Sequence, residues 1–327
     1  MRQVMKFAAA MSVAAVALAA CGSSQSGGSG GAGGGGGVTS GGTGGAGGLK
    51  VGMAYDVGGR GDQSFNDAAA AGLDKAVKEL GVQSKEAAAT NGEAESARAE
   101  RLQQLIDAGY TNVVAVGFAY AKSVGTIAKA NPNVKFAIVD DASDDSKGPN
   151  VDQITFAEEQ GSYLVGAAAA LKSKANHVGF VGGVNTVLIK KFQAGYQAGA
   201  KAVNPNIVVD VKYLTEPPDF SGFNSVDKGK AAGKLAIGVD SDQAKTAAAD
   251  VRDVIMTSMI KKVDVGVFDF IKSVSDGSFK AGNKIFDLKA GGVDYSTTGG
   301  KIDDIKPKLD DYKAQIIAGS IKVPTAP

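Results

Sequence analysis

Short apolar runs and longer amphipathic stretches alternate along most of this chain. Leu49 to Ala54 is an apolar run that predicts a buried strand, and Asp67 to Leu80 predicts a helix with a polar outer face. Val82 to Ala88 is a weak strand candidate, and Glu93 to Ala108 a helix closed by Gly109. Asn112 to Val116 predicts a short strand and Tyr120 to Ala130 a helix. Lys135 to Val139 predicts a strand ending in Asp140-Asp141. Strands of this kind separated by helices imply a parallel sheet covered on both faces.

The pattern then restarts. Gln153 to Phe156 is a brief strand, Glu158 to Lys172 an Ala-rich helix, and His177 to Val181 a strand. Ile189 to Val203 is a helix stopped by Asn204-Pro205, and Ile207 to Leu214 alternates as a strand does. A second βα series predicts a second lobe, with a cleft between the two. Between Leu214 and the strand Leu235 to Val239, the stretch Thr215 to Lys234 has room for one short helix, Val226 to Ala232, and for no further strand. Beyond Asp240 come an Ala-rich helical stretch, an apolar run at Val254 to Met256, and a helix from Lys261 to Ser275. Strand-like pieces follow between glycines from Lys284 to Tyr295, and Ile305 to Ile317 closes the chain as a helix.

The N-terminus has a different logic. Met1 to Lys6 is cationic, and Phe7 to Ala20 is an apolar run too short to span a bilayer comfortably. It ends in Leu18-Ala19-Ala20-Cys21, which resembles the lipobox of bacterial lipoprotein signal peptides. That resemblance implies removal of residues 1–20 and acylation of Cys21 with diacylglycerol, an anchor on the extracytoplasmic face. Gly22 to Gly48 is nearly all Gly and Ser, a flexible tether with a reach of about 30 Å.

Composition narrows the chemistry. With 35 Lys and Arg against 34 Asp and Glu, there is no basic field for nucleic acid. A single Cys excludes an intrachain disulfide and a cysteine metal cage, and a single His lowers the prospects of zinc chemistry and general-base catalysis. No metal, cofactor or Walker A loop is expected. Ser258-Met-Ile-Lys261 matches S-x-x-K but lacks the motifs that accompany it in penicillin-binding enzymes. Arg60-Gly61-Asp62 needs a protruding loop to mean anything, and Asp240-Ser-Asp242 lacks the glycine and glutamate of a calcium loop. His177 opens a strand as a surface or edge residue.

The turn Tyr55-Asp-Val-Gly-Gly-Arg-Gly-Asp-Gln-Ser-Phe-Asn66 joins the first strand to the first helix, at the sheet edge where ligands sit in open α/β folds. Three strands run into a carboxylate, at Asp56, Asp140 and Asp240, and in such a sheet these converge on one crevice. Each Asp also fits an ordinary helix N-cap. Acids with few bases favour donors such as sugar hydroxyls or ring N–H groups over phosphate. Phe65 and Phe192 each stand at a helix entrance, one per lobe, and facing each other they would sandwich a planar base. Spacing alone serves core packing equally well.

Five motifs in order add a resemblance. Val51 to Gly59 with Asp62-Gln-Ser-Phe-Asn66, Phe136 to Asp141, Val178 to Gly183 with Phe192-Gln-Ala-Gly-Tyr196, Ile237 to Gln243, and Thr257 to Asp264 resemble the basic membrane protein (BMP) family. These lipoproteins are the purine nucleoside receptor-like substrate-binding proteins of ABC transporters. The resemblance runs from Leu49 to the C-terminus. It implies an α/β, two-lobed type I periplasmic-binding-protein fold, with residues 49–155 plus about 260–283 in lobe 1 and 156–259 plus about 284–327 in lobe 2.

It also implies that Phe65 and Phe192 sandwich the base, Asn66 and Asp140 bond its edge, and Asp240 and Lys261 bind the ribose. Asp56 is a motif residue near the cleft. Ligand would pass to an ABC permease driven by a separate ATPase. One departure stands out: roughly thirty residues, about one βα unit, are missing between Phe223-Asn224 and Ile237, and their loop normally lies against the ligand. The alternative is a sensor or surface-antigen lipoprotein with the same fold and altered binding. An enzyme such as a nucleoside hydrolase would need a base–nucleophile pair that is not evident.

Overall fold

The computed structural model describes residues 48–224 and 235–327. The expected leader, Cys21, the tether and the short helix at Val226 to Ala232 lie outside them. In chain order the elements are β1 (Lys50–Tyr55), α1 (Phe65–Leu80), β2 (Gln83–Ala88), α2 (Glu95–Asp107), β3 (Asn112–Val116), α3 (Ala121–Ala130), β4 (Lys135–Val139) and β5 (Val151–Phe156). Then follow α4 (Glu158–Lys172), β6 (His177–Val184), α5 (Val187–Val203), β7 (Val208–Thr215) and β8 (Ala236–Asp240). Two short helices, α6 (Gln243–Thr246) and α7 (Ala249–Arg252), precede β9 (Ile255–Lys261), α8 (Val263–Ser275), β10 (Gly282–Phe286), β11 (Val293–Tyr295) and α9 (Lys306–Ile317).

Six strands form one parallel sheet in the order β10-β5-β4-β3-β1-β2. Its inner strands carry apolar residues on both faces because helices cover both, the rule for parallel sheets. β2, the weak candidate, is an edge strand with most side chains exposed, which is why its apolar signal is faint. β10 pairs with β5, so residues 284–286, expected with the second lobe, extend this sheet. Asp62 starts α1 by accepting the amide hydrogens of Ser64, Asn66 and Asp67 at 2.9, 2.8 and 3.0 Å.

Among the described residues the second half has no such sheet. β6 pairs with β7 in a two-stranded parallel ladder, and β8, β9 and β11 form a separate three-stranded sheet. Among the described residues no ladder joins β6 to β8, the place where the missing unit was expected. What packs tightly instead is the helix pair α4 and α5. A Cβ at Gly166, Gly195 or Gly199 would lie 2.1, 2.0 or 1.9 Å from a backbone oxygen of the facing helix, so only glycine admits this approach.

Several boundaries shift by one to three residues, and two differences bear on the site and its surroundings. The helix expected from Lys261 begins at Val263, and Lys261 ends β9. Ile255 to Met259 are all buried, as in a strand covered on both faces, and periodicity cannot separate such a run from a helix. The Ala-rich stretch after Asp240 breaks at Ala247 and Ala248 into α6 and α7. Among the described residues no helix is long and apolar enough to cross a membrane.

Candidate ligand-binding site

The carboxyl ends of β4, β5, β8 and β9 meet around one buried lysine. The Lys261 ammonium donates to Asp140 Oδ2 at 2.5 Å and lies 3.9 Å from both Asp240 Oδ1 and Glu158 Oε1. The same nitrogen stands 4.9 Å from the ring centroid of Phe65, 5.4 Å from that of Phe156 and 5.6 Å from that of Phe192. A cation at these distances is attracted by each ring face. Five residues predicted for the site, Phe65, Asp140, Phe192, Asp240 and Lys261, therefore share one cluster.

Burial works against the charge on Lys261, but the carboxylates of Asp140, Asp240 and Glu158 outweigh it and hold its pKa above the ordinary lysine value. Burial pushes the Asp240 carboxyl up to about 6 against the pull of Lys261, with Asp140 adding to the rise. Its Oδ2 accepts the Ser64 hydroxyl at 3.3 Å. Asp140 and Asp240 also share a backbone feature, with φ of 67° and 63° in the left-handed region. Only four non-glycine residues among those described have positive φ, and an L side chain held there stores about 1 kcal/mol or more of strain. The two strand ends thus turn their carboxyls inward in the same way.

Asp56 lies in the β1–α1 turn and Asn66 in the first turn of α1, and their hydrogen bonds join the two. Asn66 Oδ1 accepts the Asp56 amide at 3.1 Å, and its Nδ2 donates to the Val57 carbonyl at 3.4 Å. Burial raises the Asp56 carboxyl to about 6, while its bond to the Val57 amide opposes the rise. Gly117 (φ 104°) presses on it: a Cβ there would sit 2.6 Å from Asp56 Oδ2.

The turn also bonds to the end of β8 and the residues after it. Ser64 donates to the Val239 carbonyl at 3.2 Å, and the Ser241 and Thr246 hydroxyls donate to the carbonyls of Ser64 and Gln63 at 3.2 and 3.4 Å. On another flank, the Phe118 and Phe220 rings meet edge to face at 5.8 Å.

Glu158 and Phe156 were not predicted. The strand-end rule that found Asp140 and Asp240, applied to β5, would have pointed at Phe156-Ala-Glu158. The weaker motifs find structural uses. Arg60 is bound bidentately by Asp74 at 2.9 and 2.7 Å and by Glu86 at 2.5 and 3.0 Å, and Asp62 caps α1, so the Arg-Gly-Asp tripeptide is consumed locally. Ser258 is buried in β9 and accepts the Gln243 amide at 3.1 Å. His177 pairs with the Asp210 carboxylate on β7 at 2.7 Å, exposed to solvent.

Two α/β halves meeting at strand carboxyl ends, around acids, a lysine and phenyl rings, define a solute-binding protein with the type I periplasmic fold. A solved ABC transporter solute-binding protein from Aeropyrum pernix K1 matches with a TM-score of 0.69 at 26% identity, over 85% of this chain and 93% of that one. The chain belongs to the Bmp family, ABC transporter substrate-binding protein PnrA-like, whose family model matches residues 49–221.

Among its relatives is a "CD4+ T-cell-stimulating antigen" of Listeria monocytogenes, 35% identical over 85% of this chain and 88% of the relative. Another is the "ABC transporter nucleoside-binding protein BmpA" of Lactococcus lactis, 32% identical over 85% of this chain and 89% of the relative. The Listeria alignment runs over 325 positions but takes up 85% of these 327 residues, about 278, so about 47 positions lack a counterpart here.

Proposed function

We propose that this chain is a lipid-anchored extracytoplasmic receptor that captures nucleosides, purine nucleosides foremost, and delivers them to an ABC permease with a separate ATPase. The observation that carries this reading is the Lys261 cluster, which gathers Phe65, Phe192, Asp140 and Asp240 from both halves. Phenyl rings suit a planar base, and the buried acceptor oxygens suit hydroxyl and N–H donors rather than phosphate. A ligand held by both halves at once stabilises the closed form over the open one. The family description and the name of the Lactococcus relative support it. Cys21 after its apolar run supports the anchor. The role is binding without turnover.

Calorimetric titration with adenosine, guanosine, inosine, uridine and ribose tests this. Purine nucleosides should bind most tightly and be recovered intact, and Phe65→Ala should weaken them by about 1–3 kcal/mol, the range for a lost stacking ring. Unchanged binding in both Phe65→Ala and Asp240→Ala would refute the site. Cys21→Ser should release the protein from membranes. The gap between β6 and β8 favours a second reading, a non-transport sensor or surface antigen, which predicts no heat with any nucleoside.

A further inference from the structure

Three buried carboxylate oxygens around Lys261 have no hydrogen-bond partner: Asp140 Oδ1, Asp240 Oδ1 and Glu158 Oε1. Glu158 is the one whose purpose is not yet explained. It opens α4 with 0% exposure, a costly place for a carboxylate. Lys191, one residue before Phe192, binds its Oε2 and also donates to the Phe156 carbonyl at 2.8 Å. Held from that side, Glu158 turns its free Oε1 toward Lys261.

An ammonium has three donors, and Lys261 spends one on Asp140. At 3.9 Å, Glu158 Oε1 and Asp240 Oδ1 stand about 1 Å beyond hydrogen-bond reach. A shift of about 1 Å off Asp140 toward Glu158 would bring that acid within hydrogen-bond reach of the ammonium. The geometry points to a lysine hand-over: Glu158 is a positioning residue that receives the Lys261 ammonium when a ligand's donor groups take Asp140. The ligand half of this statement rests on the nucleoside reading above; the fallback contact itself does not. Without a second acid in reach, a ligand that claimed Asp140 would strand a buried ammonium and bind poorly. Asp240 alone offers one oxygen, and it is the acid expected to hold the sugar.

Two measurements on the full chain decide it. The first uses no ligand: thermal unfolding of Asp140→Asn, Glu158→Gln and the double variant. Lys261 falls back on Glu158 in the Asp140→Asn protein, so the double variant should lose about 2–4 °C more than the two single losses combined. Additive losses overturn the hand-over, as does an Asp140→Asn protein that cannot fold. The second follows adenosine binding by calorimetry and the Lys261 ammonium by its NMR signal, identified by its loss in Lys261→Arg. Glu158→Gln should weaken adenosine about tenfold and abolish the adenosine-induced shift of that signal. Wild-type affinity and an unchanged shift in Glu158→Gln overturn the hand-over. A wild-type chain that takes up no adenosine overturns the nucleoside reading instead, and the unfolding cycle then decides the hand-over.

Discussion

In the six-stranded sheet, β3 is buried along its whole length and β4 at every position but Lys135. In the two-stranded ladder, Val181 on β6 is 61% exposed and Val208 on β7 is 52% exposed. Both pairs of strands are parallel, but β3 and β4 are apolar at eight of ten positions, whereas β6 and β7 carry three glycines with His177, Asp210, Lys212 and Thr215, so side chains and cover both differ. β3 and β4 have strands on each side and helices above and below, whereas among the described residues β6 and β7 have only each other as strand neighbours. The second half therefore leans on helix packing, through the glycines where α4 and α5 touch. With helices carrying much of the core, this half leaves apolar side chains of β6 and β7 exposed.

The sharpest way to break this contrast is to push the helices apart. Gly199→Ala would place a Cβ 1.9 Å from the Tyr163 carbonyl oxygen, while Gly72→Ala in α1 would meet the Asp264 carbonyl oxygen at 2.5 Å. Chemical denaturation should show Gly199→Ala costing about 3 kcal/mol or more, and Gly72→Ala less. The reverse order would mean that the second half does not depend on its helix pair.

Next in size is a pair of truncations. Ile138→Ala in β4, fully buried, should lose about 2–5 kcal/mol, whereas Val181→Ala should change stability by less than about 0.5 kcal/mol. A large loss at Val181 would show that its face is covered in solution.

A smaller effect compares buried acids in the two halves. Burial lifts Asp152 on β5 to about 6, with Lys284 opposing, and Asp240 likewise to about 6. Both folded-state values lie above the unfolded one of about 3.9, so the folded chain binds more protons between those limits. Each group's contribution to stability is present below about pH 4 and is lost as pH rises through about 6. Unfolding free energies measured from pH 4 to 7 should show wild type falling relative to Asp152→Asn by on the order of 2 kcal/mol, and relative to Asp240→Asn by a similar amount. A flat difference at Asp240 alone would mean that its carboxyl is solvated in the second half.

Much of this was legible along the chain. Lys135 to Val139 and Asn112 to Val116 were read to the residue, because a short apolar run between polar turns has few other fates. Asp140 and Asp240 were legible as strand-end acids, and Phe65 and Phe192 as helix-entrance rings. Lys261 was named for the site but placed on a helix, since a strand buried on both faces has no period to betray it. Glu158 escaped notice because a glutamate at a helix start is ordinarily a solvated acid favoured by the helix dipole.

The order of amino acids thus determined where most strands and helices fall and which strands end in acids. These are local matters of period and turn chemistry. Only the tertiary structure decided that β9 brings Lys261 between Asp140, Asp240 and Glu158, and that, among the described residues, β6 with β7 and β8 with β9 and β11 form two small sheets rather than one. Both outcomes depend on contacts between residues up to 121 positions apart. Such contacts follow from how whole elements pack, and no window of sequence contains them.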